Sequence, residues 1–157
     1  MGILINCGSY IYSCSYSYWN ILRIAIGHSM INYIKNIKII DDNNYDKTLK
    51  NIKCEIENSF DKNQIEKLNT IDNIILLLNV CSKYNDLLSY LNLEGIFILL
   101  NNNDNNGIYI SKDSLLIEKS INKIISYINN INYKKDINKI NLIFNHSVIS
   151  NNQVYIQ

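Results

Sequence analysis

Along the chain, short apolar runs alternate with longer amphipathic stretches. The first run, Gly2–Cys7 (GILINC), is closed by Gly8-Ser9 and reads as a buried strand ending in a turn. Residues 15–30 place Trp19, Leu22, Ile26 and Met30 near helical spacing, and Gly27 weakens or ends that helix. Residues 36–40 (NIKII) read as a second strand, followed by Asp41-Asp42-Asn43-Asn44, any of which can cap a helix. Residues 45–60 (YDKTLKNIKCEIENSF) form an amphipathic helix with Leu49, Ile52 and Ile56 on one side. Residues 64–68 are ambiguous between a short strand and a turn. Residues 71–80 (IDNIILLLNV) are nearly all apolar after Asp72, and 74–78 read as a strand buried on both faces. A short helix at 84–91 (YNDLLSYL) precedes another apolar strand at 95–100 (GIFILL) and a polar loop at 101–107. Residues 111–130 contain a long helix with Leu115, Ile117, Ile121, Ile124, Ile125 and Ile128 on or near its buried face. Residues 137–145 and Val154–Ile156 read as two strands of a terminal hairpin.

Alternating units in this order predict an α/β fold: a Rossmann-like, mainly parallel sheet with helices on both faces and a C-terminal antiparallel hairpin. A length of 157 residues fits a single domain spanning 1–157.

Composition narrows the function classes. The hydrophobic fraction of 47% supplies a core, and the net charge of +1 gives no footprint for nucleic acid or an anionic membrane. The abundance of Ile, Asn, Lys and Tyr resembles coding bias and carries no functional weight. It also removes Pro, which is absent, as a boundary signal. Polar residues interrupt the apolar-rich stretch 3–40, so no membrane span is expected. Cys7, Cys14, Cys54 and Cys81 form no C-x-x-C pair, and the two histidines, His28 and His146, are far apart in sequence, which points to reduced thiols in a cytoplasmic protein rather than a metal site.

The order of elements, with the stretches 3–10, 37–42 and 72–100, resembles class I S-adenosylmethionine-dependent methyltransferases. In that family the first strand leads into a glycine loop, where Cys7, Gly8 and Ser9 stand here; glycines there admit the cofactor close to the backbone. Leu4 occupies the usual acidic position, Asn6 the first glycine and Tyr10 the third, so the resemblance implies a weakened or lost site. An acid closing the second strand binds the ribose hydroxyls in the family, and Asp41 stands in its place. A bare helix-capping role for Asp41 or Asp42 is the reading preferred from the residues themselves. Asn79 follows the fourth strand, where the family often places an active-site polar residue; a turn-forming Asn is the plainer reading. The missing acid and glycines also look like the methyltransferase-like N-terminal domain of the anamorsin family, which implies a non-enzymatic scaffold for iron–sulfur assembly. Residues 95 onward resemble, more distantly, a roadblock-type light-chain module.

Two further groups of residues stand apart. Cys7 and Cys81 close predicted strands, but neither His28 nor His146 is placed beside them as an activating base. Tyr10, Tyr12, Tyr16, Tyr18 and Trp19 form an N-terminal aromatic cluster, which reads as core or as a surface for a protein partner.

Overall fold

A computed structural model describes residues 2–60, 71–101 and 107–157. Its sheet is antiparallel throughout. Strands β1 (Gly2–Cys7), β2 (Tyr10–Ser15), β3 (Gly107–Tyr109) and β4 (Val154–Ile156) lie in the order β2-β1-β4-β3. The described helices are α1 (Tyr16–Asn36), α2 (Asn43–Ser59), α3 (Ile71–Cys81), α4 (Asn85–Tyr90), α5 (Glu94–Asn101), α6 (Ser111–Ile124) and α7 (Ile131–Ser150).

This corrects the expectation of a Rossmann-like, mainly parallel sheet with helices on both faces. The apolar runs at 74–78 and 95–100 and the run at 137–145 are helical, and 37–40 is irregular. Burial shows why. In α3, Ile74, Leu77, Leu78 and Cys81 are buried at the spacing of one helical face, with Val80 buried beside it, while Ile75 is exposed. In α7, Ile137, Ile140, Phe144 and Ser147 repeat at helical spacing, with Asn130 capping the start. The runs at 74–78 and 95–100 are apolar nearly all round, so they lack the polar face that usually marks a helix. The terminal hairpin is absent as well, because β4 pairs with β1 and β3 instead. Residues 64–68 and most of the 101–107 loop lie outside the described residues.

Other elements follow the pattern that predicts them. Asp42 Oδ1 accepts from the Asn44 N–H at 2.9 Å and caps α2, which buries Leu49, Ile52 and Ile56. Ser15 caps α1. That helix does not stop at Gly27. The glycine instead lets α3 approach, since a Cβ there would lie 2.6 Å from Ile74 Cδ1.

Helix α7 and the start of α1 pack on one face of the sheet; α6 lies along α7, α5 on α6, and α3 joins α1, α2 and α5. The core runs between sheet and helices through Ile3, Ile5, Val154, Ile121, Ile140 and Phe144. Arg23 is buried and donates to the Leu100 carbonyl at 2.8 Å, placing a cation at the negative end of α5. Among the described residues, no helix is long and apolar enough to cross a membrane.

Candidate functional site

The residues singled out in the first strand form a hairpin turn. Cys7 pairs with Tyr10, which leaves Gly8 and Ser9 as a two-residue loop. Gly8 has φ of 59°, whereas Ser9 is not among the positive-φ residues. Positive φ at the first loop residue alone marks a type II′ turn, which places Gly there and matches strand twist. Gly8 therefore serves chain reversal. A Cβ at Gly8 would meet nothing closer than His146 Nε2, at 3.8 Å. Gly8→Ala is expected to cost about 2 kcal/mol through backbone strain without a clash, measured by urea unfolding.

The other candidates are placed apart from this turn. Cys7 is buried beneath the sheet, while Gly8 and Ser9 are exposed. Asp41 is exposed in the segment between α1 and α2, next to the capping Asp42. Asn79 is exposed on α3, where its carbonyl accepts from Ser82 Oγ. Asp41 and Asn79 do not close parallel strands, so the crevice that would gather all five residues does not form. Among the described residues, no group of three His, Cys, Asp or Glu is placed to hold a metal ion.

The aromatic cluster divides between core and edge. Trp19 is buried, whereas Tyr10 and Ile11 are exposed on β2. Strand register gives the geometry. Leu4 exchanges both backbone hydrogen bonds with Gln157, so the backbone groups of Leu4 point to the β4 side and those of Ile3 and Ile5 to β2. Tyr10, Tyr12 and Cys14 consequently bond β1, across from Cys7, Ile5 and Ile3. The N–H and C=O groups of Ile11 and Ser13 point outward from the sheet edge, where no described strand pairs with them.

The two sheet faces also differ. Ile3, Ile5, Cys7, Val154, Ile156 and Tyr109 turn inward and are buried. Ile108, Tyr155, Asn6 and Ile11 form one row across all four strands on the opposite face. Ile11 is 64% and Ile108 59% exposed, so this face is open to solvent.

Beneath β2, side chains of α7 hold the strand in place. Tyr10 stacks on His146 with ring centroids 4.2 Å apart, and Lys139 Nζ lies 5.9 Å from the Tyr12 ring centroid. Asp136 accepts from Lys139 Nζ at 2.8 Å and from the Tyr18 hydroxyl at 2.9 Å. Lys139, then Tyr18, hold the Asp136 carboxyl below the ordinary carboxylate range. Burial, followed by the Asp136 contact, pushes the Tyr18 hydroxyl up to about 12. Burial likewise raises Tyr12 and Cys14. The hydroxyls and the thiol are thus neutral near pH 7, a poor setting for a nucleophile.

A cavity of about 450 Å³ lies between α1 and the start of α7, lined by Ile24, Ala25, His28, Ser29, Tyr127 and Tyr133 among others. Its size suits a small ligand. However, His28 Nδ1 is engaged by Asn32 at 3.1 Å, Ser29 donates to the Ala25 carbonyl, and Asn130, also in its wall, caps α7. The β2 edge presents the more specific binding chemistry, because its free donors and acceptors already have fixed directions.

Ile11 and Ser13 are absent from the sequence-derived site. Their signal lies in Gly8-Ser9 followed by the alternating Tyr10–Ser15 stretch, a hairpin pattern obscured when Gly8 is read as part of a cofactor loop. No protein-family model, curated protein or solved structure matches this chain.

Proposed function

We propose that the protein is a non-enzymatic interaction module that binds another polypeptide as an added strand along β2. One observation carries this reading: β2 is an edge strand of six residues whose outward groups at Ile11 and Ser13 meet no strand among the described residues, and which lacks charge, Pro and a bulge. Natural edge strands are blunted by charge, Pro, a bulge or a covering element. YIYSCS contains no charge and no Pro, and its pairing with β1 runs without a bulge from Gly2↔Ser15 to Cys7↔Tyr10. An extended segment would satisfy those donors and acceptors, and the neighbouring Ile11 and Tyr10 supply apolar area. All four thiols are free, which suits the cytoplasm proposed for this module.

The test compares proteins captured by the wild type and by Ser13→Pro, which removes an outward donor while leaving the β1 ladder intact. A partner retained by the wild type and lost with Ser13→Pro supports strand addition. Equal capture by both contradicts it. Calorimetric titration with S-adenosylmethionine tests the rival methyl-transfer reading, and a saturable heat would favour that enzyme over the module.

A further inference from the structure

We infer that the cavity between α1 and the start of α7 is a second binding site, independent of β2, for a small uncharged planar ligand carrying a lactam or carboxamide group. Its volume of about 450 Å³ lies toward the lower end of the range of ligand-holding clefts, which suits one or two fused rings. An ionised ligand fits poorly. Among the described residues, the wall holds no Asp, Glu, Lys or Arg, so a charge leaving water would meet no counter-charge.

Two consecutive residues of α1 set the polar chemistry. Asn32 Nδ2 can only donate, so His28 Nδ1, 3.1 Å away, accepts, and the neutral ring carries its proton on Nε2. Nε2 has no partner among the described residues. Ser29 spends its hydroxyl proton on the Ala25 carbonyl at 2.8 Å, which leaves its oxygen as an acceptor. Both residues line the cavity, so the wall offers one donor and one acceptor whose roles are already fixed. An amide edge has the complementary pair: its carbonyl accepts from His28 and its N–H donates to Ser29. A ketone would satisfy one of the two, and a hydrocarbon neither.

Tyrosine rings favour an aromatic body. Tyr127 meets Tyr33 edge-on, with centroids 5.8 Å apart and planes at 88°. Tyr133 meets Tyr18 at 6.0 Å and 67°, and the Tyr18 hydroxyl is tied to Asp136 at 2.9 Å. Rings buttressed in this way are oriented before a ligand arrives, which lowers the ordering cost of binding. Ile24, Ala25 and Ile128 add apolar contact area.

The chain has two histidines, which makes the test site-resolved. His28 lines the cavity, while His146 stacks on Tyr10, about 20 Å beyond Tyr133 along α7. Quinolin-2-one is titrated into the full chain while the ring signals of both histidines are followed by NMR. His28 is expected to shift saturably, with half-saturation at about 1 mM or below, while His146 stays in place. Nitrogen-15 spectra of the His28 ring are expected to show the proton on Nε2. The charged 2-naphthoate, of similar shape, is expected to bind at least about tenfold more weakly. His28→Phe keeps a ring but removes the donor, and weakens binding about tenfold. Ala25→Leu fills the cavity and abolishes binding, which keeps the test decisive should His28→Phe fail to fold. The site is overturned by a His28 signal that does not saturate, by His146 moving in step with it, or by 2-naphthoate binding as tightly. Undiminished binding to either folded variant, or a proton on His28 Nδ1, also overturns it. None of these outcomes bears on strand addition at β2, which is read separately from capture by wild type and Ser13→Pro.

Discussion

Phe144→Ala is expected to destabilise the fold by about 3–5 kcal/mol, whereas Leu142→Ala changes monomer stability by less than about 0.5 kcal/mol. Phe144 is fully buried and meets Tyr109 edge-on, with centroids 5.6 Å apart and planes at 83°. It fills the space between α7 and β3, so truncation removes apolar area and leaves a cavity in a packed interior. Leu142, two residues earlier, is 61% exposed. The pair is diagnostic because residues two apart share a face in a strand and lie on nearly opposite faces in a helix. Urea unfolding of both variants reads the difference. Similar losses for the two would favour the strand expected at 137–145.

Gly95→Ala is expected to cost about 3 kcal/mol or more and to lower the melting temperature by about 10 °C. A Cβ at Gly95 would lie 2.1 Å from the Leu116 carbonyl oxygen and 2.4 Å from the Ile117 nitrogen. Both are backbone atoms of α6, so no side-chain rotation relieves the overlap. The contact is also pinned from the other side: Ser120 Oγ accepts from the Gly95 N–H at 3.0 Å and donates to the Asn92 carbonyl at 2.8 Å. Separating α5 from α6 breaks this buried link. Gly27→Ala provides the contrast, because its added carbon meets the tip of Ile74 and it gains helix propensity within α1. Its net cost is expected to stay within about 1 kcal/mol. Thermal unfolding of the two variants separates a backbone clash from a side-chain one.

These sites show what was legible in the sequence and what was not. The α2 pattern was legible because Leu49, Ile52 and Ile56 stand out against charged neighbours, and Asp42 caps where a helix must begin. The β1 and β4 runs are short and bounded by turn residues. By contrast, residues 74–78 and 95–100 are uniformly apolar, so helical and extended periods fit them equally well. The decisive information is which of those side chains faces a neighbour, and that depends on tertiary packing. Ile137, Ile140, Phe144 and Ser147 did carry a helical spacing, but Asn residues between Ile residues also imitate strand alternation. At the candidate site, Gly8-Ser9 correctly marked a turn. Its purpose changed with the fold: it starts a hairpin, and the functional weight moves to Ile11 and Ser13.

The most direct measurement is residue-resolved amide hydrogen exchange along β2. Tyr12 and Cys14 are expected to exchange slowly because their N–H groups bond β1, while Ile11 and Ser13 exchange fast. Fast exchange at Tyr12 and Cys14, or protection of Ile11 and Ser13 equal to theirs, would contradict an open antiparallel edge at this strand.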